Sequence, residues 1–162
     1  MKLSARPAGM VLAITILGCL ASLTAAAGDP RTGTWKLDLA KSTFSPGPPP
    51  KSQTLTYFET VDGLAALLQG IDARGKPINP DVSNMMIVFD GKDHPTPMAS
   101  YDVSAWQRLD AHTYRVVRKK GGKVVLTSIN VISQDGMTMT ITTTGVGVDG
   151  APIRNVRVFE RQ

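Results

Sequence analysis

Catalysis by side chains needs acids, bases or nucleophiles that can converge, and this sequence of 162 residues supplies few of them. Glu59 and Glu160 are its only glutamates, and Asp62, Asp90, Asp135 and Asp149 each precede a glycine, where turn hydrogen bonding accounts for an aspartate. His94 and His112 stand 18 positions apart, with no second histidine or carboxylate at metal-ligand spacing. A weak metal site at His94, between Asp93 and Pro95, competes with the simpler reading of a solvated loop histidine. No Gly-x-Ser-x-Gly elbow, phosphate loop or dinucleotide fingerprint occurs. We therefore expect no enzymatic activity, no cofactor and no metal. Convergence of Glu59, Asp102 and His112 would contradict that expectation.

Two other groups of residues have binding chemistry. Arg115, Arg118, Lys119, Lys120 and Lys123 put five cations into nine residues around Gly121-Gly122. A basic hairpin tip of this kind suits an anionic partner, such as a lipid headgroup or polysaccharide of a cell envelope. Nucleic acid is not expected, because residues 115–123 contain no aromatic for base stacking. The same cations can simply keep an exposed hairpin soluble and unpaired. The second group is apolar: Tyr57, Met85, Phe89, Trp106, Tyr114 and Met139, drawn from different predicted strands. Together they could line a pocket for a small apolar or amphipathic ligand, with tyrosine and tryptophan supplying fixed polar tips. A small barrel can equally be filled by such side chains.

The elements that would position these residues are strands. From Thr32 onward, short alternating apolar runs are separated by Asp62-Gly63, Asp90-Gly91, Gly121-Gly122, Asp135-Gly136 and Asp149-Gly150, dipeptides suited to tight β turns. Strands are expected near 33–39, 52–59, 64–72, 82–90, 102–109, 112–120, 123–132, 137–145 and 153–160. Trp35, Leu37 and Leu39 alternate with polar residues, as do Met137, Met139 and Ile141 with Thr138, Thr140 and Thr142, so one face is buried and one wet. The threonine face needs no ice-binding role. Met85 to Phe89 is apolar on both faces, which predicts an outer cover from a loop or partner. Leu64, Leu67, Leu68 and Ile71 fit a short helix as well as a strand. The similar turn sequences at 73–78 and 148–153 favour the strand. The prolines at 46 and 48–50, and those at 95 and 97, predict loops over 45–52 and 92–101. The first of these is a stiff crossover or a lid.

The N-terminus reads as a leader. It holds 18 of the chain's hydrophobic residues within 27 positions, together with Lys2 and Arg6, and Ala25-Ala26-Ala27 offers a peptidase site before Gly28. Residues 1–27 are thus expected to be a secretory signal peptide and 28–162 a single domain, exported to a periplasmic or extracellular space. The apolar run from Val11 to Leu23 is shorter than the roughly 20 residues of a membrane span, so no transmembrane span is expected in the mature protein. In the alternative, Ile16-Leu17-Gly18-Cys19 resembles a lipobox, and Cys19 would carry a lipid anchor.

Gly33-Thr34-Trp35 opens the first mature strand and resembles the Gly-x-Trp signature of the lipocalins and their calycin relatives. With the runs GTWKLDLAKSTFSPGPPPKSQTLTY, DGMTMTITTTG and NVRVFERQ, the chain looks like a group of small exported bacterial lipocalin-like proteins without a settled activity. The resemblance implies an all-β, antiparallel up-and-down meander closing into a barrel of about 8–9 strands. It also implies that Gly33 and Trp35 close one end, with the tryptophan packed on a basic residue near the C-terminus. Arg154, Arg157 and Arg161 are candidates, and Arg157 is expected because it alternates in phase with Asn155 and Phe159. The chain lacks the Thr-Asp-Tyr signature of core lipocalins. The function expected is non-enzymatic ligand binding in the barrel; the alternative is an envelope-associated interaction or structural module with a filled barrel.

Overall fold

Alternation of apolar and polar residues, broken by glycine turns, gives this chain ten antiparallel strands in a computed structural model that describes residues 28–78, 85–98 and 100–162. They are β1 (Gly33–Thr43), β2 (Ser52–Thr60), β3 (Gly63–Ile71), β4 (Met85–Ile87), β5 (His94–Met98), β6 (Tyr101–Arg108), β7 (Thr113–Lys120), β8 (Lys123–Ile132), β9 (Thr138–Val146) and β10 (Pro152–Arg161). The sheet order is β4-β3-β2-β1-β10-β9-β8-β7-β6-β5. It is an all-β meander in which β1 pairs with β10, so the sheet curls into a nearly closed barrel with β4 and β5 at its two edges. The leader reading of residues 1–27, and Cys19 with it, lies outside the described residues, as does 82–84 of the strand expected over 82–90. Among the described residues no helix is long and apolar enough to cross a membrane.

The count exceeds the expected eight or nine because of β5, which falls in the stretch read as a loop for its prolines. Pro95 pairs with Val103, on the strand at the sheet edge. There a missing N–H interrupts nothing on the open side. The segment that also fitted a helix is β3, whose Leu55–Leu68 and Tyr57–Ala66 pairings with β2 put Leu64 and Ala66 into the core. Two further departures come from ladder irregularities. Leu39 is exposed although Trp35 and Leu37 are buried, because β1 bulges between Asp38 and Thr43. Asp38 Oδ1 accepts from the Ala40 and Lys41 amides, and Ser42 Oγ from the Val158 amide, which holds the bulge. Met137 is exposed because β9 begins one residue after it.

The connections sort into two ends. Residues 28–32, the turns at 61–62, 109–112 and 133–137, and the C-terminus lie at one end, here called the cap. The connection at 44–51 and the turns at 121–122 and 147–151 lie at the other, the mouth. The core runs from Trp35, Leu64, Ile87, Tyr114, Ile132, Met139 and Phe159 near the cap to Leu55 and Ile141 toward the mouth. Gly145, on β9 near the mouth, has φ +150°, and a Cβ there would lie 2.0 Å from the Val125 carbonyl oxygen. Only glycine permits that approach of β8 to β9.

Candidate functional site

Inside the cap, the interior is occupied by the chain's own Arg31. Its side chain is fully buried, and its guanidinium carbon lies 3.8 Å from the centre of the Tyr114 ring, 4.6 Å from Phe89 and 5.4 Å from both Tyr57 and Trp106. Desolvated cation–aromatic contacts of this kind contribute about 2 kcal/mol or more. Asp29 supplies the counter-charge: Oδ1 accepts from Arg31 Nε at 3.1 Å, and Oδ2 from Arg108 at 2.6 Å and from the Tyr114 hydroxyl at 3.1 Å. Burial alone would raise the Asp29 pKa. The hydrogen bonds and charge of Arg31, helped by Arg108, outweigh it and hold the carboxyl below its ordinary range.

The segment bearing Arg31 is tied down by Trp35 and Arg161. The indole Nε1 of Trp35 donates to the Arg31 carbonyl at 2.7 Å. The Arg161 guanidinium lies 4.2 Å from the Trp35 ring centre and donates to the carbonyls of Pro30, Thr32 and Gly136. The basic partner of Trp35 is therefore Arg161, not Arg157. The alternation that selected Arg157 gave the right face of β10 but not the height: Trp35 pairs with Arg161, and Arg157 lies farther along, toward the mouth. Gly33 has φ +118°, and Arg161 Nη1 would lie 2.9 Å from a Cβ at this position.

Toward the mouth the interior holds a cavity of about 230 Å³. Its apolar lining includes Leu55, Leu68, Met85, Met98, Leu126, Ile141 and Ile153; its polar lining includes Tyr57, Tyr101, Trp106, Asn130, Thr143, Arg118 and Arg157. Arg118 Nη1 donates to Ser128 Oγ at 2.9 Å, which in turn shares a hydrogen bond with Thr143. Arg118 Nε, Trp106 Nε1 and Asn130 Oδ1 are buried without a protein partner. Arg157 is lowered to a pKa of about 10, first by its place inside the barrel and then by the charge of Arg118, while Tyr57 and Tyr101 act in the opposite sense. Burial likewise pushes the Tyr57 hydroxyl up, against the pull of Arg31, Arg157 and Arg118. Among the described residues the cavity lining contains no carboxylate. A larger hollow of about 480 Å³ lies among Lys36, Asp38, Lys51 and Glu160, whose charged lining makes it the less suitable host for an apolar molecule.

The six apolar residues expected to line a pocket thus divide. Tyr57, Met85 and Trp106 border the mouth cavity. Tyr57 and Trp106 also belong to the cage around Arg31, so they form a partition between the two halves. Phe89 and Tyr114 face Arg31, and Met139 is packed in the core. The outer cover expected over the Met85 to Phe89 strand is not seen at Met86, which is 43% exposed.

The five cations of the β7–β8 hairpin do not form one surface. Arg118 is in phase with the buried Tyr114 and Val116, so it points inward. Lys119 pairs with Asp93 at 2.8 Å, and Asp102 accepts from the Gly121 amide at the hairpin tip. Arg115, Lys120 and Lys123 remain exposed. Glu59, Asp102 and His112 are not brought together: Glu59 accepts from the Asp29 amide at the cap, Asp102 faces the hairpin tip near the mouth, and His112 sits in the β6–β7 turn. Among the described residues no group of three or more potential metal ligands occurs.

Sequence reasoning missed Arg31 and Asn130, and it assigned Arg118 and Arg157 to other tasks. Parity along β7 and β10 was sufficient to put Arg118 and Arg157 inside. Arg31 precedes the first strand and has no periodic signal. Comparison with protein-family models, with curated proteins and with solved structures finds no match.

Proposed function

We propose that this chain is an exported, non-enzymatic binding protein for a small apolar or amphipathic ligand held in the mouth half of the barrel. The observation that carries the reading is the 230 Å³ cavity, lined by aliphatic side chains and bordered by buried polar atoms that lack partners. Small-molecule sites combine such an apolar wall with a few fixed polar groups. The volume lies below the roughly 300–1,000 Å³ of sites for drug-sized ligands, which restricts the occupant to a short chain or a single ring. Export rests on the leader read in residues 1–27.

The test is a titration of purified, delipidated protein with octanol, followed by tryptophan fluorescence. Saturable quenching that disappears in Trp106→Phe is expected, since Trp106 borders the cavity and Trp35 lies in the cap. A flat titration would mean that the barrel is functionally filled. The alternative, an envelope-associated interaction module, is favoured by a different observation: Val124, Val146 and Val148 are exposed near the mouth, at the same end of the barrel as the exposed Lys120 and Lys123. That reading predicts retention on anionic vesicles with no response to octanol.

A further inference from the structure

We propose that the ligand is a small amphipathic carboxylate whose head is held between Arg118 and Arg157, with its tail against the aliphatic wall of the mouth cavity. This rests on the binding function above and narrows it to one chemical class.

Two like charges inside one cavity are unfavourable unless something compensates them. Arg118 comes from β7 and Arg157 from β10, with β8 and β9 between them, so the two approach the cavity from separated parts of the wall. Among the described residues neither has an acidic partner within ion-pair distance. Arg157 makes no side-chain hydrogen bond there, and Arg118 uses Nη1 on Ser128 and leaves Nε buried and unpaired. The cap shows what the same chain does with interior arginines otherwise: Arg31 receives the Asp29 carboxylate besides its aromatic rings, whereas Arg118 and Arg157 have rings within about 6 Å but no carboxylate among the described residues.

The unpaired atoms specify the missing group. Three of these groups, Arg118 Nε, the Arg157 fork and Trp106 Nε1, are donors, two of them charged, against one unpaired acceptor of the lining, Asn130 Oδ1. A group that accepts from several donors, carries negative charge and tolerates an apolar surrounding at its far end is an oxyanion on a hydrocarbon body. A carboxylate matches the planar guanidinium fork through two oxygens. A phosphate monoester has more oxygens to satisfy and a charge near −2 at neutral pH, and it uses more of a small cavity. At about 30 Å³ per water-sized atom, 230 Å³ accommodates roughly eight heavy atoms. An eight-carbon acid, with ten heavy atoms, therefore fills the cavity and extends its end out through the mouth.

The experiment compares octanoate, octanol, octylamine and octyl phosphate by calorimetric titration at neutral pH. Charge-assisted hydrogen bonds to the arginines should make octanoate bind about tenfold to a hundredfold more tightly than octanol, with octylamine weakest. Arg157→Met and Arg118→Met should each collapse the preference for octanoate over octanol toward unity. Arg157→Lys, which keeps the charge but loses the fork, should fall between, and it serves if a methionine variant does not fold. Octanol binding as tightly as octanoate overturns this inference and leaves the binding function standing. Tighter binding of octyl phosphate than of octanoate overturns the carboxylate assignment. Binding of none of the four overturns the function itself.

Discussion

The two ends of this barrel treat their cations differently. At the cap, Arg31 and Arg108 share Asp29, and Arg161 donates to three backbone carbonyls while stacking on Trp35. At the mouth, Arg118 has one hydroxyl partner and the Tyr101 and Trp106 rings, and Arg157 lies inside the barrel near another positive charge; among the described residues neither has a carboxylate. Cations with built-in partners fix a structure. Cations without them cost stability in the absence of an external anion. Under the proposed function the cap serves folding and the mouth serves binding, and substitutions at the two ends should then behave in opposite ways.

The largest effect belongs to Arg31. Arg31→Ala removes the guanidinium from its four-ring cage, empties part of the interior and leaves Asp29 with Arg108 as its remaining cation. Breaking a buried ion pair on one side costs about 3–5 kcal/mol, and urea unfolding should show a loss of that size. Added ethylguanidinium should return part of the lost melting temperature by entering the vacated cage. A loss below about 1 kcal/mol would show that the cap does not depend on its plug and would remove the contrast between the ends.

Much of the architecture behind this contrast was legible in the sequence, because it depends on local patterns. Asp-Gly and Gly-Gly turns marked the hairpins, and alternation put Trp35, Leu37, Met139 and Ile141 inside. Pro95 concealed β5, since a proline argues against a strand unless the strand is known to lie at an edge, and edge position is a property of the assembled sheet. The site was legible only in part for the same reason. Six apolar residues were singled out as pocket lining, but which of them face free space depends on Arg31, a residue outside any strand. The hairpin cations were grouped by nearness along the chain, although strand parity turns Arg118 away from Lys119. Arg157 and Arg161 share a face and differ in height, and height comes from the β1–β10 register.

An intermediate effect tests the acid at the centre of the cap. The Asp29 carboxyl is held below its ordinary pKa in the folded chain, so its contribution to stability is complete above about pH 4 and is lost as the pH falls through the folded value. Asp38, Asp90, Asp110 and Asp135 are also held low by hydrogen bonds, so acid unfolding as a whole does not isolate Asp29. The difference between the wild type and Asp29→Asn does. Asp29→Asn should cost about 1–3 kcal/mol at neutral pH, and the gap should narrow as the pH is lowered through the carboxylate range. A gap that stays constant down to strongly acid pH would mean that Asp29 acts through packing and not through its charge.

The smallest effect is expected at the mouth, and its sign carries the information. Arg157 is a cation inside the barrel whose pKa is depressed to about 10, which means that its surroundings disfavour the charge it still carries at neutral pH. Methionine has a comparable length, no charge and an adaptable shape, so it can lie against Leu55, Ile141 and Ile153 without leaving a donor unpaired. Urea unfolding of Arg157→Met without ligand should therefore show unchanged or slightly raised stability, by up to about 1 kcal/mol. Octanoate should reverse the order: it should stabilise the wild type in proportion to the logarithm of its concentration above the dissociation constant, while the variant gains less. If Arg157→Met loses several kcal/mol without ligand, Arg157 has an internal structural role after all, and the two ends of the barrel are built on the same principle.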